Sequence, residues 1–180
     1  MRTDVTLRPL DPDLLDALLR TAVADADPRE VMPPVPGSTG WTAGAREAFL
    51  RFHRSRSLSA EPVEATFAVL VGPEVAGAAR LCPAAAPAGP AAASGRTVEA
   101  GRTAEAGVWI GRGHRGAGVG GAVLRQLLDR ARADGFEAVL ISTRPDNTPV
   151  HRLITALGVA LVHGPDAVTA RVDLTPGRPA

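Results

Sequence analysis

The chain has 180 residues, 45% of them hydrophobic, which suits a single globular domain over 1–180 with a core of its own. Its formal net charge is +1, which excludes the dense basic surface of a nucleic-acid binder or of a protein held on a membrane by charge. The lone cysteine, Cys82, excludes an intramolecular disulfide and a thiolate metal cluster, and no apolar run reaches the ~18 residues of a membrane span.

The opening MRTDVTLRPL holds no apolar stretch of the secretory kind, so a cytoplasmic protein is the expectation. All twenty basic residues are arginine, a compositional bias that weakens any argument from arginine choice at one position. Tyrosine is absent.

Val5–Leu10 alternates apolar and polar residues and reads as a strand. Asp11-Pro12 then supplies an N-cap and an N1 proline for a helix carrying Leu14, Leu15, Leu18, Leu19 and Ala22 at helical spacing. The stretch 25–41 is rich in proline and glycine and reads as loop. Thr42 caps a second helix with Phe49 and Phe52 on one side. Ala65–Val71 and Val75–Leu81, separated by Gly72-Pro73-Glu74, form a hairpin pattern. Residues 83–103 are alanine, proline and glycine and read as a low-complexity insertion. Glu105–Ile110 reads as a strand, followed by a glycine-rich turn over 111–121. Val123, Leu124, Leu127, Leu128 and Ala131 mark the next helix, ending near Gly135. Ala138–Thr143 reads as a buried strand. A helix from Asn147 follows, with Val150, Leu153, Ile154 and Leu157 on one face and Gly158 as its terminator. Val159–Val162 and Val168–Leu174 close the chain as a strand pair.

Strand, glycine turn, helix is a recipe for binding phosphate. Glycine permits positive φ, the first amides of a helix lack partners, and the helix dipole adds partial positive charge. Arg112 and Arg115 stand ready to add more. The lysine-dependent phosphate loop is excluded because the chain has no lysine. Gly111-Arg112-Gly113-His114-Arg115-Gly116 matches the dinucleotide fingerprint G-x-G-x-x-G, which would make the protein an oxidoreductase. That fold needs an acidic residue ending the next strand, where Ser142-Thr143 stand instead.

The segment Arg115-Gly116-Ala117-Gly118-Val119-Gly120 also matches R/Q-x-x-G-x-G/A. Downstream, Asn147, Val150, Leu153, Leu157 and Gly158 match the spacing of N-x-x-A-x-x-L-Y-x-x-x-G-F. By these two elements, and by Ala104–Ile110 as their leading strand, the chain resembles the GNAT superfamily of acetyl-CoA-dependent N-acetyltransferases. The resemblance is clear over Ala104–Val159. It implies an α/β (α+β) fold in the order β-α-α-β-β-β-α-β-α-β-β, with a mixed, mostly antiparallel sheet of about six to seven strands and about four helices.

It further implies acetyl-CoA as co-substrate, no metal, and a small-molecule or protein amine as acceptor, with no nucleic acid or membrane partner. A homodimer is common in the family. The diphosphate would lie on Arg115, Gly116, Ala117, Gly118, Val119 and Gly120, with Arg112 and Asn147 nearby. The fourth strand would splay from the fifth, its backbone at Trp109 and Ile110 pairing the pantetheine arm and polarising the thioester carbonyl. The tyrosine that often protonates the leaving thiolate falls at Ile154, and a glutamate used as base falls at Ser142. The remaining candidates are Glu105 as base, and water, Ser142 or Cys82 as acid. His53, His114 and His151 read as surface or packing residues. Asp25, Asp27, Glu30 and Glu47 would suit a cationic amine, or are ordinary solvated charges. The missing tyrosine leaves a non-catalytic acyl-CoA-binding sensor or scaffold as the alternative.

Overall fold

The computed structural model describes residues 4–84 and 102–174, so most of the low-complexity segment expected at 83–103 lies outside the described residues. The elements run β1 (Val5–Pro9), α1 (Pro12–Asp25), α2 (Pro28–Val31), α3 (Ala43–Ser57), β2 (Ala65–Val71), β3 (Glu74–Pro83), β4 (Thr103–Ile110), a 3-10 turn (Arg112–His114), α4 (Val119–Ala133), β5 (Ala138–Thr143), α5 (Thr148–Thr155), β6 (Val162–His163) and β7 (Val168–Asp173). The strands form a seven-stranded sheet in the order β1-β2-β3-β4-β5-β7-β6. Antiparallel β1–β2 and β5–β7 ladders flank a parallel β4–β5 pair, so the sheet is mixed. A dinucleotide fold built from repeated parallel βαβ units has no place for those antiparallel ladders.

Two compact units are present. The first comprises residues 1–80 and 108–126. Here α1 starts where expected: Asp11 accepts from the Leu14 N–H at 2.7 Å, and Pro12 occupies the first turn. Leu15 and Leu18 are 1% and 0% exposed, each burial contributing about 2 kcal/mol. α3 begins at the expected cap, with Thr42 Oγ1 accepting from the Ala45 N–H at 3.2 Å. Its Phe49 is fully buried with Ala68, Leu70 and Ala78 of β2 and β3. The stretch read as loop contains the one-turn helix α2, because Asp27 caps it and Pro28 presets its first φ. Trp41 then ties the loop back, its indole N–H donating to the Ala26 carbonyl at 2.9 Å.

The second unit comprises residues 81–107 and 127–180. Val139, Ile141, Val168, Ala170 and Val172 are buried along the β5–β7 ladder. Ala84 N–H donates to the Thr103 carbonyl at 2.8 Å, so β3 and β4 stay paired up to the edges of the described residues. Two expectations need correction. The strand read at Val159–Val162 is reduced to Val162–His163, since the turn at 164–167 pairs just two residues with β7. On α5, Ile154 is fully buried, whereas Val150 and Leu153 are half-buried and Leu157 is 37% exposed.

Candidate functional site

The glycine-rich segment lies in the first unit. β3 approaches β4 so closely that a Cβ on Gly77 would stand 2.1 Å from the Trp109 carbonyl oxygen. Beyond Ile110, Gly111 N–H donates to the Ala76 carbonyl at 2.8 Å. The 3-10 turn follows, and Gly113 N–H donates to the Asp25 carboxylate at 2.7 Å. Gly116 and Gly118 have φ of 75° and 78°, and among the described residues no non-glycine residue has positive φ. The signs of φ therefore alternate through Gly116-Ala117-Gly118. That alternation turns successive amides toward one side, which is how backbone makes an anion nest.

α4 opens directly on this nest. The Ala122 N–H donates to the Gly118 carbonyl at 3.2 Å, and the amides just before it are the orphan donors of a helix start. No acidic residue occupies the first turn of α4, so nothing there cancels the dipole. Val119 is buried and anchors the turn, while Gly116, Ala117 and Gly118 are exposed.

Arg112 and Arg115 behave differently. Arg112 is exposed. Arg115 Nε donates to the Ile110 carbonyl at 2.8 Å, and its Nη2 donates to Glu30 at 2.8 Å. The Arg115 hydrogen bond holds the Glu30 carboxyl below the usual carboxylate range against the opposing effect of burial. The four acids that would suit a cationic amine all have internal duties. Asp25 holds Gly113, Asp27 caps α2, Glu30 pairs with Arg115, and Glu47 pairs with Arg51 at 2.9 Å. A cavity of about 390 Å³ lies beside α2, lined by Asp27, Pro28, Arg29, Met32 and residues of 33–45.

Also in the first unit, His53 is 3% exposed, which corrects its reading as a surface helix residue. Its ring lies edge-on to Phe49 and Phe52, at centroid distances of 4.6 and 5.2 Å. Neither ring nitrogen has a hydrogen-bond partner among the described residues, and burial pushes its pKa down to about 4. Glu64, with its side chain fully buried, accepts from Arg56 at 2.8 Å and Arg80 at 3.1 Å. Burial raises its pKa, but the two arginines outweigh that and leave it below the usual range. Trp109 is half-buried against the same core, and its Nε1 has no partner among the described residues. His114 is half-buried, 4.0 Å from Glu74.

The second unit holds the other candidates. The parallel ladder pairs Thr103–Ala106 with Ala138–Ile141, and Glu105, exposed, sits opposite Leu140. Ser142 is exposed and continues the β5–β7 ladder opposite Thr169. Asn147 stands at the N-cap of α5 but makes no side-chain cap; its Nδ2 donates instead to Thr143 Oγ1 at 2.9 Å. Ile154 is 0% exposed and Cys82 is 8% exposed. His151 packs edge-on to His163 at 6.1 Å. The sequence reading missed Asp25 and Glu30 as supports of the turn, because their partners lie 88 and 85 residues away and no local pattern announces such pairs.

Among the described residues, no group of three or more His, Cys, Asp or Glu is placed to hold a metal ion, and no helix is long and apolar enough to cross a membrane. Residues 35–159 match the model of the Acetyltransferase (GNAT) family. No curated protein matches the chain. Among solved structures, the GNAT domain of PAT from S. lividans is similar at a TM-score of 0.68 and 19% identity, covering 94% of this chain and 90% of that one. The structure of yncA from Salmonella typhimurium with its cofactor acetyl-CoA gives 0.63 and 18%, covering 97% and 96%. Mutant forms of the spermidine/spermine N-acetyltransferase SpeG from Vibrio cholerae give 0.64 and 14%, covering 96% and 95%. At these identities the likeness is one of fold.

Proposed function

The chain belongs to the GNAT acetyltransferase family, and from that premise we propose that it transfers acetyl from acetyl-CoA to a primary amine of a small molecule or protein by direct attack. The observation that carries the donor reading is the alternation of φ at Gly116-Ala117-Gly118 leading into an acid-free first turn of α4. Backbone amides there fit a diphosphate without lysine or metal. Arg112 and Arg115 flank it. When bound, the co-substrate supplies an acetyl group already activated as a thioester.

The backbone of Trp109 and Ile110 is the edge that receives the pantetheine arm and a donor for the developing oxyanion. Positioning the amine and the carbonyl in line supplies much of the acceleration. Glu105, exposed on β4, takes a proton from the acceptor ammonium, and the neutral amine so formed attacks the carbonyl. Ile154 cannot donate a proton and faces the core. The thiol leaving group, with a pKa of ~8.5, tolerates unassisted departure, and Ser142 remains a candidate proton relay, its hydroxyl exposed on β5.

Thiol release from acetyl-CoA with a panel of amines, followed by mass spectrometry of the acceptor, tests this reading. A product heavier by one acetyl group supports it. The buried isoleucine at the acid position favours one alternative, an acyl-CoA-binding module without turnover. Binding of CoA with no thiol release on any amine would establish that alternative.

A further inference from the structure

An anion site made of backbone amides depends on the charge around it. The cations Arg112 and Arg115 belong to this turn, and the carboxylates of Asp25 and Glu30 lie against it. Asp25 is structural, since it accepts from Gly113 N–H and fills the space a Cβ on Gly111 would need, 2.6 Å away. Glu30 holds only a side chain of the turn. Its partner Arg115 is separately anchored by Nε on the Ile110 carbonyl, so the guanidinium stays at the end of β4 whether or not Glu30 is present.

Building on the donor reading, we propose that Glu30 competes with the diphosphate of CoA for Arg115. Without donor, Glu30 neutralises the guanidinium. With donor, Arg115 turns its outer N–H groups to phosphate and the Glu30 bond is given up. When CoA leaves, Glu30 recaptures Arg115, which speeds product release. The exchange also reaches α2, because Glu30 sits between Arg29 and Met32 in sequence, near Asp27 and Pro28, and all four line the 390 Å³ cavity. Donor binding therefore loosens the tie that holds this wall to the turn.

The test is calorimetric titration of CoA into the wild type, Glu30→Gln, Arg115→Met and the double variant, with Glu30→Ala as a second probe of the same position and thermal melts confirming that each is folded. Glu30→Gln should bind CoA roughly two- to five-fold more tightly, the range of a partly exposed ion pair, and the gain should vanish in the Arg115→Met background. Unchanged or weaker binding by both Glu30 variants would overturn the proposal and make Glu30 a support for Arg115, with the donor reading intact. An equal gain in the Arg115→Met background would also overturn it, because Glu30 would then act by charge alone. No CoA binding by the wild type would remove the donor reading itself.

Discussion

Acidification should destabilise the protein through His53 before its carboxylates titrate. In the fold the imidazole is buried, has no hydrogen-bond partner among the described residues, and has its pKa pushed down from 6.5 to about 4, with the nearby Arg80 charge adding to burial and the Glu64 charge opposing both. The unfolded chain binds the proton at about 6.5. Between the two values the unfolded state holds more protons, so stability is full above 6.5 and falls as pH drops toward 4. The slope approaches about 1.4 kcal/mol per pH unit, giving about 2 kcal/mol lost between pH 6.5 and 5 and about 3 kcal/mol over the whole window. Urea unfolding from pH 7.5 to 5, followed by the fluorescence of Trp41 and Trp109, reads this directly. Trp41 packs edge-on to Phe49 at 5.7 Å, next to the His53 ring, so it reports the right region. His53→Leu removes the titration and should flatten the profile at unchanged m-value. An equally steep profile in His53→Leu would show that His53 is not the titrating group.

Three further outcomes are expected. Gly77→Ala places a Cβ 2.1 Å from the Trp109 carbonyl, so β3 and β4 must part; a loss on the order of 2–3 kcal/mol by thermal melting should accompany weaker CoA binding. Ile154→Tyr overfills a fully buried site, so it should cost about 1–3 kcal/mol and give no gain in turnover, even though it restores a tyrosine at the acid position. Glu105→Gln should lower turnover less than a bulky residue at Gly118 does; a larger loss, with CoA affinity unchanged, would make Glu105 indispensable as base.

The parts of the fold legible in the sequence are those written by local rules. Asp11-Pro12 and Thr42 announced their helices because caps and N1 proline act within one turn. The hairpin at Gly72-Pro73 was readable because its two strands are short, adjacent apolar runs, and Gly72 does take φ of 57°. α2 was hidden in a proline-rich stretch, since a single capped turn has no periodicity to detect. The sequence suggests a longer β6 because apolar residues at Val159 and Leu161 look the same whether or not a partner strand reaches them. At the site, the glycine spacing revealed the nest. The Asp25–Gly113 and Glu30–Arg115 links were illegible because they join residues far apart in sequence. His53 misled for a related reason: α3 is rich in arginine, and only the packing of Phe49 and Phe52 around the ring shows that this position turns inward.

The turn at Gly116–Gly120 is the proposed donor site, and Gly118→Val tests it most directly. A β-branched residue is strained at φ 78° and breaks the alternation that aims the amides. Calorimetric titration with CoA should show binding by the wild type and none by Gly118→Val, with both proteins folded by circular dichroism. Equal CoA affinity in the two would mean that the donor does not bind at this turn.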